Sequence, residues 1–217
     1  PTLYRCVVEL GEDSYETNFG FRTIRFDQND LYINNQKVFL IGLNRHQCYP
    51  YIGYAAVDSL QEEDVRILKE ELHVNAVRTS HYPQSQSFID ACDRYGLYVF
   101  TEIPGWQHIG DETWKQQAIR NTEDMVLQYR NHPSIILWGV RINESLDDDA
   151  LYTKTNQVAR DLDPSRPTAG VRYLTKSHLL EDIYTFNDFS HHGDNKGALS
   201  KSEVMVDTHH PLIISEA

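Results

Sequence analysis

Five positions in this chain carry side chains able to do bond chemistry, and each follows a short apolar run. Asn143-Glu144 closes the run Ser134 to Ile142, and Ser215-Glu216 closes Pro211 to Ile214. Arg78 and His81 follow Asn75-Ala76-Val77, His46 follows Gly42-Leu43-Asn44-Arg45, and Glu102 ends Leu97 to Thr101. Two carboxylates held on rigid supports across a pocket are what glycoside hydrolysis requires: one acid protonates the leaving oxygen while the other attacks the anomeric carbon or activates water. Glu144 and Glu216 are the candidate pair. Asn143, beside the first, can hydrogen-bond a sugar hydroxyl next to the reacting carbon. Arg78 can keep the attacking carboxylate ionised through a charge-assisted bond. Each residue also has a plainer reading: Asn-Glu pairs are common in surface turns, His46 and His81 can serve as loop or capping residues, and Glu102 can be a buried ion-pair partner of Arg78.

The elements that must position these groups follow from hydrophobic rhythm. From Val38 onward, short apolar runs alternate with amphipathic stretches, the mark of successive βα units around a parallel sheet. Strands are expected at Val38 to Leu43, Ala76 to Thr79, Leu97 to Phe100, Ile135 to Val140, Thr168 to Val171, Asp182 to Thr185 and Leu212 to Ile214. Helices are expected after Ser59-Leu60-Gln61-Glu62, which reads as a capping box, around Phe88 to Tyr95, from about Glu112 to Tyr129, and over Leu151 to Leu162. Seven such strands suit a (β/α)8 barrel, whose strand C-termini converge on one face. The apolar run before Glu144 is then a pedestal.

Ahead of this region, Leu3 to Leu10 and Glu16 to Phe26 flank a Gly11-Glu12-Asp13-Ser14 turn and read as a hairpin. Two strands cannot bury both faces alone, so residues 1–26 are expected to be the tail of a β-sandwich and residues 27–217 the barrel domain. With 217 residues, 40% hydrophobic, the chain can form a substantial core. A formal charge of -12 and a pI near 5.2 argue against nucleic acid or an anionic membrane as partner and for a neutral one. Cys6, Cys48 and Cys92 are odd in number and lack metal-ligand spacing, so they read as small core residues. His191-His192 and His209-His210 read as solvated loop tips rather than metal ligands. No run reaches the roughly 18 apolar residues of a membrane span, and the first residues lack a signal peptide's basic and apolar regions. The compartment stays open. So does other barrel chemistry, although no strand tip offers the lysine of a Schiff-base aldolase.

Longer motifs narrow this. Asn75 to Pro83 with Asp93 to Phe100 resembles the first signature of glycoside hydrolase family 2, and Arg130 to Gly139 closed by Asn143-Glu144 resembles the second. Gly42 to His46 and Pro211 to Glu216 match as well, so the resemblance spans essentially the whole chain; within the family it is most similar to bacterial β-galactosidases. It implies a retaining exo-β-glycosidase on a TIM barrel, with Glu144 as acid/base and Glu216 as nucleophile. Asn143 would bind the sugar 2-hydroxyl, Arg78 would orient Glu216, and His46 and His81 would contact the galactosyl ring. Glu102 would be structural beneath the pocket, and Asn187 and Asp188 would reach the site from strand six. β-Glucuronidase, β-mannosidase and a non-catalytic carbohydrate-binding fragment are the alternatives. Magnesium-dependent relatives carry Glu-x-His after strand three, where this chain has Trp106-Gln107-His108; tryptophan cannot ligate a hard cation, so no metal or other cofactor is expected. The resemblance also implies an eighth βα unit beyond Ala217 and an immunoglobulin-like domain before the barrel, so exposed sheet edges and association with other domains or copies are expected.

Overall fold

The computed structural model describes residues 1–190 and 197–217; His191 and His192 lie outside them. In chain order the elements are β1 (Tyr4–Leu10), β2 (Asp13–Phe19), β3 (Ile24–Phe26), β4 (Leu31–Ile33), β5 (Gln36–Val38), β6 (Gly42–Arg45), α1 (Asp58–Arg66) with a π-helical turn over Ile67–Glu71, β7 (Ala76–Thr79), α2 (Gln86–Tyr95), β8 (Tyr98–Glu102), α3 (Glu112–Tyr129), β9 (Ile135–Gly139), α4 (Asp149–Leu162), β10 (Thr168–Arg172), β11 (Ile183–Asn187), α5 (Lys201–Val204) and β12 (Leu212–Glu216).

Seven strands, β6 through β12, lie parallel in sequence order, the arrangement of a TIM barrel. The ends of the sheet curl toward each other, with Cα atoms of β12 and β6 coming within 8 Å. Strands β9, β10 and β11 are buried at every residue, as expected of parallel strands covered on both faces. One core layer lies between sheet and helices and includes Val77, Phe88, Val99, Ile135 and Trp138. Another fills the barrel and includes Phe100, Ile136, Leu137, Ala169 and Val171. The small antiparallel sheet β3–β4–β5 packs Leu31 and Ile33 onto this inner layer. Its tight β4–β5 turn uses two asparagines at positive φ, Asn34 at 51° and Asn35 at 63°.

The pedestal strand is anchored at its entry. Arg166 donates to the carbonyls of Arg130, His132 and Ile135, each at 2.8 Å, and pairs with Asp163, which also accepts Trp138 Nε1 at 3.1 Å. Asp93 accepts the Ser134 amide at 2.9 Å and bonds His132 Nδ1 at 2.6 Å. Both signature motifs therefore meet at the foot of β9.

Four local expectations change. The first parallel strand is Gly42–Arg45, because Val38 closes the antiparallel sheet by pairing with Leu31. Glu16 to Phe26 is two strands: Phe19 ends the hairpin, while Ile24 pairs with Ile33 in a different sheet. Ser59 does not cap α1; the helix begins at Asp58 with Val57 as N-cap and no side-chain bond, the Asp58 carboxylate supplying the favourable charge in the first turn. Among the cysteines only Cys92 is buried; Cys48 is exposed and Cys6 sits half-buried on the two-stranded hairpin, which has little core to offer.

Candidate active site

Arg78 is the hub of the strand C-terminal face. It is 4% exposed, and its five N–H groups all have acceptors. Nε reaches Glu102 Oε2 at 3.2 Å; Nη2 reaches Glu102 Oε1 at 3.0 Å and Asn143 Oδ1 at 2.7 Å; Nη1 reaches Glu216 Oε2 at 3.2 Å and Asn44 Oδ1 at 3.4 Å. A guanidinium presents five donors in a fixed fork, so one side chain ties together the ends of four other strands. Glu102, 1% exposed, is its buried counter-charge. His81 Nδ1 lies 3.0 Å from both Arg78 Nη2 and Glu102 Oε1, so the histidine is held by the same ion pair. The other ring nitrogen of His81 is left for the pocket.

Glu144 follows β9 and Glu216 ends β12, strands well apart in the order, yet one amide joins them. Asn187 Nδ2 donates to Glu144 Oε1 at 3.1 Å and to Glu216 Oε2 at 3.0 Å. Those two oxygens therefore lie no more than about 6 Å apart, so both carboxylates face one space. Asn187 is oriented from behind, since its Oδ1 accepts the Ser215 hydroxyl at 2.9 Å. The next residue turns away, as alternation along a strand requires. Asp188, 1% exposed, accepts from the amides of Ser190 at 2.9 Å and Leu199 at 2.6 Å.

Glu144 does not sit on β9 itself but on the loop after it. Val140 N donates to Ala169 O at 2.9 Å and Glu144 N to Val171 O at 3.1 Å, so β10 continues to guide the chain past Gly139. Glu144 has φ +54°, a left-handed conformation that costs a non-glycine residue roughly 1 kcal/mol and must be held by its surroundings. The hold comes from the loop after β8: Gln107 N donates to Asn143 O at 2.8 Å, Trp106 pairs with Asn143 as an isolated bridge, and Gly105 N donates to His81 O at 3.1 Å. Trp106 Nε1 and Gln107 Nε2 then donate to Glu144 Oε2 at 3.1 and 3.2 Å. Sequence reasoning weighed the Trp106-Gln107-His108 run as a metal site and Trp106 as a sugar-stacking ring, and gave neither residue a bond to Glu144. The available signal was its place directly after a strand tip.

Asn143 is 1% exposed and its Oδ1 is occupied, but its Nδ2 is buried without a partner. His46 stacks edge-on to His81 with ring centroids 5.2 Å apart; burial of the ring, then the neighbouring His81, pushes its pKa below the ordinary histidine value. His46, His81, Tyr54, Tyr82, Gly105 and Trp106 line a cleft of about 420 Å³ beside the carboxylates. Trp138 is fully buried in the core and Trp114 packs against it, whereas Trp106 is 57% exposed. Only Trp106, of the three, offers an open ring face.

A donor-lined pair of carboxylates this close can protonate a leaving oxygen from one side and attack the adjoining carbon from the other. Comparison with known proteins agrees with that chemistry. The family profile described as glycosyl hydrolases family 2, TIM barrel domain, matches residues 24–217. The chain is 52% identical over its whole length to a β-galactosidase of Thermoanaerobacterium thermosulfurigenes, covering 31% of that protein. It is 54% identical over 90% of its length to a β-galactosidase of Thermoanaerobacter pseudethanolicus, covering 27% of that one. The solved GH2 β-galacturonidase of Eisenbergiella tayi, bound to galacturonate, superposes with a TM-score of 0.77 at 29% identity over 86% of this chain and 35% of the other. The chain thus spans about a third or less of the curated relatives it matches. With the profile covering the barrel from its first supporting strand to the last, the chain belongs to glycosyl hydrolase family 2.

Proposed function

We propose that this chain carries the catalytic machinery of a retaining exo-β-glycosidase acting on terminal β-D-galactosides. The observation that carries the reading is the Glu144–Asn187–Glu216 linkage, which supports a paired nucleophile and acid/base by bringing one oxygen of each carboxylate to the same amide. Glu216 is the nucleophile: Arg78 and Asn187 each donate to its Oε2 and hold the carboxylate in place. Glu144 is the acid/base. In the first half-reaction Glu216 bonds to the anomeric carbon while the leaving oxygen keeps the bonding pair and takes the Glu144 proton. In the second, Glu144 removes a proton from the attacking water and Glu216 departs. The unpartnered Asn143 Nδ2 is a donor for the sugar 2-hydroxyl. Glu102 keeps Arg78 and His81 in place, and His46 and His81 face the ring.

A neutral hexose suits the site better than a uronate. A uronate carboxylate calls for a cation with donors to spare. Among the described residues lining this cleft and the barrel mouth, the one arginine or lysine is Arg78, whose N–H groups are all engaged. The names of the two β-galactosidases it matches at 52% and 54% identity favour galactose over mannose.

The test is hydrolysis of aryl β-galactoside, glucuronide, mannoside and glucoside by the native chain, Glu144→Gln and Glu216→Gln. Galactoside turnover should prevail, and each variant should lose at least about 10²–10⁴-fold. Azide should accelerate both variants, giving β-galactosyl azide with Glu144→Gln and α-galactosyl azide with Glu216→Gln. Sugar binding without turnover of any glycoside would favour the non-catalytic reading, and prevailing glucuronide turnover would replace the sugar.

A further inference from the structure

The two oxygens of Glu144 are in different surroundings. Oε2 accepts from Trp106 Nε1 at 3.1 Å and from Gln107 Nε2 at 3.2 Å. An indole nitrogen is a donor only, and each carboxylate oxygen offers about two lone-pair sites, so two N–H groups saturate Oε2 and leave a proton nowhere to sit. Oε1 accepts one bond, from Asn187 Nδ2 at 3.1 Å, and keeps its second site. That same nitrogen touches Glu216 Oε2, so Oε1 is the oxygen turned toward the nucleophile and the space where a glycosidic bond must lie.

Resting on the assignment of Glu144 as acid/base, we propose that its proton is carried and delivered on Oε1, and that Trp106 and Gln107 are the positioning residues that enforce this choice. As Glu216 forms its bond to the anomeric carbon, the glycosidic C–O bond breaks with its electron pair going to the leaving oxygen, which takes the Oε1 proton; Glu144 becomes an anion stabilised at Oε2 by two N–H donors. In the return step Oε1 takes a proton from water as the water oxygen bonds to the anomeric carbon and Glu216 is released. The loop is built for the task. Gln107 has φ +61° and its own amide donates to Asn143 O at 2.8 Å, so backbone and side chain of one residue grip both members of the Asn143-Glu144 pair. Both donors are exposed, so their role is not that of core packing.

The experiment compares kcat/KM for aryl β-galactosides (or the β-glycoside the panel above selects) with leaving groups from dinitrophenol, which departs without protonation, to phenol, which needs it. The full chain is tested as native, Glu144→Gln, Trp106→Phe, Gln107→Leu and the Trp106→Phe/Gln107→Leu double variant. The double variant should lose about 10–100-fold on the phenyl glycoside and less than about 3-fold on the dinitrophenyl one. Azide should rescue Glu144→Gln and not the double variant, whose carboxylate is intact. An equal loss on all leaving groups, or no loss, overturns the positioning role while Glu144→Gln still shows the split. Absence of the split in Glu144→Gln overturns the acid/base assignment and this inference with it.

Discussion

Glu144 and Glu216 are held by one side chain, the Asn187 amide, at 3.1 and 3.0 Å. The shared donor sets their spacing and offers both carboxylates a hydrogen bond in whichever state is ionised. Replacing Asn187 with Ala should lower kcat by about 10–100-fold with little change in melting temperature, since one preorganised donor at a site of changing charge is worth a few kcal/mol. Asn187→Asp should be worse near neutrality, because it places a third carboxylate beside the other two. Steady-state rates with matched thermal melts test both; an Asn187→Ala enzyme of native kcat would remove the amide from the mechanism.

Arg78 is the obligate partner of a carboxylate that is 1% exposed. Arg78→Lys keeps the charge but cannot present five donors in a plane, so Glu102, Asn143 and Glu216 cannot all be satisfied at once. Arg78→Met should destabilise by about 3–5 kcal/mol by leaving Glu102 charged and unpaired in the interior. Pairing it with Glu102→Gln should restore a good part of that stability but not activity. Denaturant unfolding of the two singles and the double is the measurement.

Gly139 ends β9 close against Glu102 of β8. A Cβ there would lie 2.4 Å from Glu102 Cβ and 2.8 Å from Glu102 Cα. Gly139→Ala therefore has to push β8 or Glu102 aside, costing about 1–3 kcal/mol as overpacking and disturbing Arg78. Activity should fall with stability, seen as a lower melting temperature and a lower kcat in the same variant.

The loop carrying Glu144 has a carboxylate tie of its own. Burial raises the pKa of Asp147, but bonds from the Ser177 hydroxyl, the His178 amide at 3.1 Å and Arg141 Nη2 at 2.7 Å outweigh it and hold the group at about 2. A carboxyl depressed by folding stabilises above its unfolded pKa, and that contribution fades as pH falls from about 4 through 2. With side-chain exposure of 29% and solvent screening, it amounts to about 1 kcal/mol. Asp147→Asn should melt lower than native at pH 6 and converge with it near pH 2. A constant gap across that range would show that Asp147 acts by packing alone.

The sequence by itself determined the parallel strand order, because apolar runs of five residues alternating with amphipathic stretches have few other ways to bury both faces. It also marked where the polar groups sit, since a charged residue directly after such a run must lie at its tip. Glu144, Glu216, Arg78 and Asn143 were legible on that ground and Asn187 only through the family resemblance, and the five meet at one face. Side-chain partnership was not legible. That Asn187 reaches both carboxylates while Asp188 turns to its loop depends on strand alternation and on a register irregularity between β11 and β12 at Phe186/Asn187. That Trp106 and Gln107 grip Glu144 depends on two loops, 38 and 37 residues apart in sequence, meeting above adjacent strands. Periodicity reports which face of an element is buried; it carries no information on which loops from different elements touch, and hydrogen-bond geometry there is set by tertiary packing.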